Sequence, residues 1–354
     1  MSEENDNQAE EIIEDQSAPP RKRSFFSRRN FFISFGAIAL VLFFAWLAVY
    51  LSYRFGYFDN YIKSQFVAKM SEMNIVFDAD VFRVNANPLS LQLKNATFND
   101  KISGEKLFRV GEANLSLSVK DLYAWQLSRD ISIDTTDLQD VEAWVKFDAN
   151  GKSNFSNIKL IESTEKSSVN FKYSSVKFSL KEGVVHFGDV TRKINANAKN
   201  VLFFLEPENA EVPDDQKRYK FDFTSTDSNL VYDEKPIDPI NIKTKGIADG
   251  TGAEITELML TSPIGENSLK GTITNWKSPK YNLNISSNVD LMQVQTFLPN
   301  GTALRGIGNF TGKVTGEGEK YKIDGEITSD ALAANNIRLK AVQVNAVVDG
   351  DFQI

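Results

Sequence analysis

Leu89-Ser90-Leu91-Gln92-Leu93 and, further on, Leu115-Ser116-Leu117-Ser118-Val119 alternate apolar with polar residues, and this two-residue period decides the fold. Successive side chains of a strand point to opposite faces, so strict alternation predicts strands with one apolar and one wet face, usually antiparallel. The period recurs at Val141, Ala143, Val145 and Phe147, at Val176, Phe178 and Leu180, and at Val201, Phe203 and Leu205. It returns at Tyr219, Phe221 and Phe223, at Tyr281, Leu283 and Ile285, and at Val342, Val344, Ala346 and Val348. Residues 75–354 therefore read as one β domain. Its last strand breaks off at Asp351-Phe352-Gln353-Ile354, so the chain reads as the N-terminal portion of a longer protein.

A repeat marks the end of this domain. Leu269-x-Gly271-x-Ile273 followed by Tyr281-x-Leu283-x-Ile285 returns as Phe310-x-Gly312-x-Val314 followed by Tyr321-x-Ile323. Gly306, Gly308, Gly312, Gly316 and Gly318 share the parity of Phe310 and Val314, while Asn309, Thr311, Lys313 and Thr315 take the other. Glycine weakens a strand but permits curvature or the close approach of another group. Both a curled trough and a bent sandwich corner accommodate this pattern.

Upstream, the period changes to 3.6. Phe58, Ile62, Phe66 and Met70 recur every four residues, with Tyr61 and Met73 widening the stripe, which predicts an amphipathic capping helix over 56–73. Residues 31–53, FFISFGAIALVLFFAWLAVYLSY, carry no charge and no proline. As a helix they span roughly 35 Å, enough to cross a hydrocarbon core of about 30 Å. Phe31, Phe43, Trp46, Tyr50 and Tyr53 belong to this anchor, the later rings suiting an interface. Arg21, Lys22, Arg23, Arg28 and Arg29 precede it and place the N-terminus on the cytoplasmic side. Residues 1–30 read as a disordered tail, acidic and then basic.

The remaining composition excludes more than it assigns. There is no cysteine and one histidine, His186 in a strand, so thiol and zinc chemistry lack ligands. Asp134, Asp137, Asp140 and Glu142 match no calcium-loop spacing. Gly306-x-Gly308-x-x-x-Gly312 misses the dinucleotide spacing. A net charge of −7 without a basic patch outside the N-terminus argues against nucleic-acid binding. The chain reads as a non-enzyme with no cofactor.

Pro88-Leu89-Ser90-Leu91-Gln92-Leu93-Lys94-Asn95-Ala96-Thr97-Phe98, after an anchor and a short helix, resembles the opening of the AsmA/TamB-like envelope proteins. Leu107-Phe108-Arg109-Val110 and Ala113-Asn114-Leu115-Ser116-Leu117 continue the likeness. Val145-Lys146-Phe147-Asp148-Ala149-Asn150-Gly151-Lys152-Ser153-Asn154-Phe155 is similar to that family's strand, turn and asparagine-aromatic exit, with Asn150-Gly151 as a tight turn of positive φ. The resemblance covers about 57–354. It implies a mostly β, elongated, curved antiparallel β-sheet groove (a β-taco) anchored by a single transmembrane helix in the inner membrane, with the sheet in the periplasm. Phospholipid acyl chains would slide along the groove between the inner and outer membranes. Leu115, Leu117, Val145, Phe147, Phe178, Leu180, Phe203, Phe221 and Phe223 would line it. An outer-membrane barrel of the TamA/Omp85 type would be a partner through a region C-terminal to this chain. The alternatives are a scaffold for assembling outer-membrane β-barrels or autotransporters by strand addition, and a membrane-tethered β-sandwich adhesin or spacer.

Overall fold

The computed structural model describes Phe43, Phe44, Leu47 and residues 57–86, 88–119, 130–159, 170–172, 176–209, 211–213, 216–298 and 302–351. Helix α1 (Tyr57–Glu72) leads into β1 (Ile75–Asp78), β2 (Val81–Ala86), β3 (Leu89–Asp100), β4 (Lys106–Val119) and β5 (Asp130–Phe147). Then come β6 (Asn170–Lys172), β7 (Lys177–Asp189), β8 (Ile194–Pro207), β9 (Tyr219–Tyr232), β10 (Lys235–Ala248), β11 (Gly252–Ser262), β12 (Gly265–Thr274) and β13 (Lys280–Asp290). A short helix α2 (Leu291–Val294) precedes β14 (Leu304–Arg305), β15 (Ile307–Glu317), β16 (Lys320–Ala334) and β17 (Ile337–Asp351). The chain is mostly β, as its alternation predicts.

These strands form one seventeen-stranded open sheet. β1 and β2 lie end to end along β3. β3, β4 and β5 follow antiparallel. From β7 to β17 each strand pairs antiparallel with the next, β14 continuing β15 along β16. All of the described strands belong to this one sheet.

The purely antiparallel expectation fails at one step. β6 and β7 pair parallel to β5, because the chain turns at Asp148–Lys152 and returns to the other end of the sheet before pairing. Parallel neighbours need such a crossover. The turn itself also differs from expectation. Gly151 is left-handed (φ 73°) but Asn150 is not, and the Gly151 amide donates to Asp148 O at 3.0 Å. Asn154 then replaces the strand that β5 lacks there. Its Oδ1 accepts from the Lys146 amide at 3.0 Å and its Nδ2 donates to Trp144 O at 2.9 Å.

A second departure runs through several strands. Leu93 and Ala96 are both buried, as are Ala113 and Val110, although a regular strand would turn residues three apart to opposite faces. Asn95 accounts for the step in β3, and Asp140, Glu182, Asn200 and Asp227 make the same step in later strands, for each takes a left-handed φ between 48° and 57°; in β4 the ladder passes over Gly111 instead. The resulting three-residue steps align across β3, β5, β7, β8 and β9 and keep apolar residues on one face. Asparagine and aspartate tolerate this conformation better than other non-glycine residues. Ser225 and Ser228 satisfy the displaced backbone beside it: Ser225 Oγ donates to Lys199 O at 3.1 Å and Ser228 Oγ accepts the Lys199 amide at 3.0 Å.

The buried core sits at the first strands. Phe77, Ala79, Leu93, Ala96, Val110 and Ala113 form it, and Phe66, Val67 and Met70 of α1 pack against it. Half-buried Asp59, Ile62, Lys63, Phe66, Val67 and Met70 make one helical stripe. Tyr61, placed on the stripe by its sequence, points outward at 62% exposure. Asn74, left-handed at φ 62°, ends the helix.

The expected membrane anchor over 31–53 lies almost wholly outside the described residues, as do Arg21, Lys22, Arg23, Arg28, Arg29, Phe31, Trp46, Tyr50 and Tyr53. Phe43 is helical and more than half exposed, its ring 5.9 Å from that of Phe44. Among the described residues no helix is long and apolar enough to cross a membrane.

Candidate functional site

Cross-strand partners point to the same face, so the register shows which apolar residues become neighbours. One row runs from β2 to β17 without interruption: Val84, Leu91, Leu115, Thr136, Phe178, Leu205, Phe221, Gly246, Ile255, Gly271, Leu283, Val314, Ile323 and Val348. A second lies two residues along the strands, about 7 Å away. It comprises Phe82, Leu93, Ala113, Leu138, Leu180, Phe203, Phe223, Thr244, Leu258, Leu269, Ile285, Gly312, Gly325 and Ala346. Thr136 and Thr244 alone in these rows carry a polar atom on the side chain, and each also offers a methyl. The two rows make a continuous apolar strip across the sheet.

The strip is also low in profile. Tyr281 lies across its partner Gly316 and donates its hydroxyl to Lys320 O at 2.7 Å. Tyr321 covers its partner Gly350 in the same way. A Cβ on Gly246 would sit 2.6 Å from Phe221 Cζ, and one on Gly325 the same distance from Phe310 Cε2. Rings that fold down over glycine leave a smooth floor, whereas two packed sheets interdigitate projecting side chains. Burial of the Tyr281 hydroxyl, with Tyr321 nearby, raises its pKa above the ordinary tyrosine value. The tyrosine therefore stays neutral and keeps its donor.

Six of the sequence-derived lining residues fall in the two rows: Leu115, Phe178 and Phe221 in the first, Leu180, Phe203 and Phe223 in the second. The Phe178 and Phe203 rings are 5.7 Å apart. Leu115 packs against the core under α1. Leu117 faces Ile133 at the flank of the strip. Val145 stands in a shorter row with Phe187, Ala196, Leu230 and Ile237, which ends at β10. Phe147 faces the buried Asp189, its ring 5.9 Å from that of Phe187. From β10 on the strip continues through Ile255, Leu258, Leu269, Leu283, Ile285, Val314 and Ile323, which the lining set omits although their alternation was legible.

The opposite face behaves as a wet face. Lys243 pairs with Glu257 at 3.1 Å, Lys245 with Asp222 at 2.6 Å and Lys280 with Glu317 at 3.2 Å. The acidic set of β5 is dispersed among neighbours: Asp134 accepts from Ser118, Asp137 from Ser179 and Asp140 from Arg109, while Glu142 contacts His186 Nε2 at 2.9 Å. His186 also stacks on Trp144 and meets Asn197 Oδ1 at 2.6 Å, a structural set of contacts. Among the described residues no acidic, histidine or cysteine cluster could hold a metal ion. A depression of about 930 Å³ crosses β11 to β17 beside Lys270, Asn284 and Lys313. Phe310 covers Gly312 and Gly325 from the apolar side, so the depression they line opens on the wet face.

Neither a scan against protein-family models nor a search of curated proteins finds a match to this chain.

Proposed function

We propose that the apolar strip is a track for acyl chains, and that the chain is an inner-membrane-anchored periplasmic protein moving phospholipid between the inner and outer membranes. The observation that carries this reading is the pair of unbroken rows from β2 to β17. A core needs apolar residues only where something packs on them, and the two rows run on through β7 to β17, well past the strands that α1 packs against. An acyl chain lying there would gain about 0.8 kcal/mol for each methylene removed from water. Its headgroup would remain in solvent. No single residue would be indispensable, which accords with a chain rich in pattern and poor in motif. The anchor and the cytoplasmic N-terminus rest on the uncharged 31–53 stretch and its basic flank.

Mass spectrometry of lipids that co-purify with the full chain tests this reading, beside a Phe178→Glu/Phe221→Glu variant. Phospholipid on the wild type and its loss from a folded variant are expected. A folded wild type free of lipid would overturn the track.

A further inference from the structure

We infer that the socket beneath α1 is the loading end of the track and that α1 is a displaceable plug which competes with the acyl chain for it. This rests on the track reading above. The two long rows do not stop where the helix begins. Leu138 continues directly into Leu180 and Phe203, while its other neighbour, Ala113, lies in the core that Phe66, Val67 and Met70 cover. The helix thus occupies, with apolar side chains, the same face and the same rows that continue further along. Phe66 stands at 4.7 Å from Phe77 of the same core, edge to face.

The two ends of α1 are held differently. Its C-terminal end is pinned by a strap: Asn74 Nδ2 donates to Asn157 O at 2.8 Å and the Lys159 amide to Met73 O at 3.1 Å. Asn157 is itself tied to buried Asp100 at 2.6 Å. The other end is held by polar contacts to the edge strands. Asp59 accepts the Val84 amide at 3.0 Å, and Lys63 donates to Ala79 O at 2.9 Å with Asp78 3.7 Å away. All three are contacts that water can replace. The left-handed Asn74 between the pinned end and β1 is the natural pivot. Release of Asp59 and Lys63 would swing Phe66 and Val67 off Leu93 and Ala113 and open the rows at this end.

Photolabelling of the full chain reconstituted in phosphatidylethanolamine/phosphatidylglycerol vesicles, doped with a diazirine-bearing diacyl phosphatidylethanolamine, separates the possibilities. The wild type and Asp59→Ala/Lys63→Met are compared by peptide mass spectrometry. The inference expects labelling of residues 89–98 and 107–115 to rise at least threefold in the variant, with residues 281–285 and 312–316 labelled in both proteins. Labelling of 281–316 in both with no rise at 89–115 would overturn the plug and leave the track standing. No labelling at either place would overturn the track and the plug together. Hydrogen exchange of the wild type supplies a readout independent of the variant's folding. Amides of residues 62–70 should exchange faster when the vesicles are present, while those of β9 and β10 do not. Unchanged protection of 62–70 in a protein labelled at 281–316 would also overturn the plug.

Discussion

Tyr281 lies flat over Gly316, its direct partner on the next strand, and reaches past it to the carbonyl of Lys320. The glycine repeat acquires a physical meaning from this pair. Glycine here does more than permit curvature, because it also gives a large ring a place to lie. Gly316→Val should destabilise the sheet by about 1–3 kcal/mol, since the new side chain meets both the ring and the Lys320 carbonyl. Chemical denaturation of the variant, Tyr281→Ala and the double variant should show non-additivity of about 0.5 kcal/mol or more. Strict additivity would mean that the ring does not depend on the glycine.

Asp100 is fully buried and accepts from the Ile102 amide at 2.9 Å, from Ser103 Oγ at 2.7 Å and from Asn157 Nδ2 at 2.6 Å. Burial pushes its carboxyl upward, but these donors, with the Ser103 amide, outweigh it and hold the pKa below the usual range. A carboxylate depressed in the fold contributes its stability above the unfolded value of about 3.9, and loses it as pH falls through the folded value. Asp100→Asn should therefore be less stable near neutrality and show a shallower loss of stability below about pH 4. Asp100→Ala should cost about 2–4 kcal/mol by stranding buried donors. Urea titrations across pH check both.

Asn200 belongs to the line of left-handed residues that lets each strand step three residues and keep its apolar face. Asn200→Gly should cost no more than about 1 kcal/mol, whereas Asn200→Val should cost about 1–3 kcal/mol from backbone strain. Both variants lose the side-chain bond to Thr226, so their difference reports the backbone alone. Equal melting temperatures would contradict the role assigned to the step.

The β class and the apolar face were legible because alternation survives in nearly every strand. The three-residue steps were not read, although Leu93-Lys94-Asn95-Ala96 and Leu138-Gln139-Asp140-Val141 carry the signal: an apolar pair three apart with asparagine or aspartate inside. The parallel β5–β7 pair was illegible for a different reason. A crossover is a matter of where the chain returns, and neither the period nor composition encodes that. The expected lining ends at Phe223, while the strip runs on beyond β10 through leucine, isoleucine, valine and glycine. Asp134, Asp137, Asp140 and Glu142 match no calcium-loop spacing, and rather than forming a solvated turn they lie along β5, each beside a partner.

Photolabelling at adjacent residues tests the track most directly. Leu283 sits in the first apolar row and Asn284 on the opposite face of the same strand. Single cysteines at these positions are unique in a chain that has none, and each can carry a short photoreactive group. In vesicles the account predicts phospholipid adducts from position 283 at least fivefold above those from position 284. Equal capture at both positions, or none at 283 in a folded protein, would contradict it.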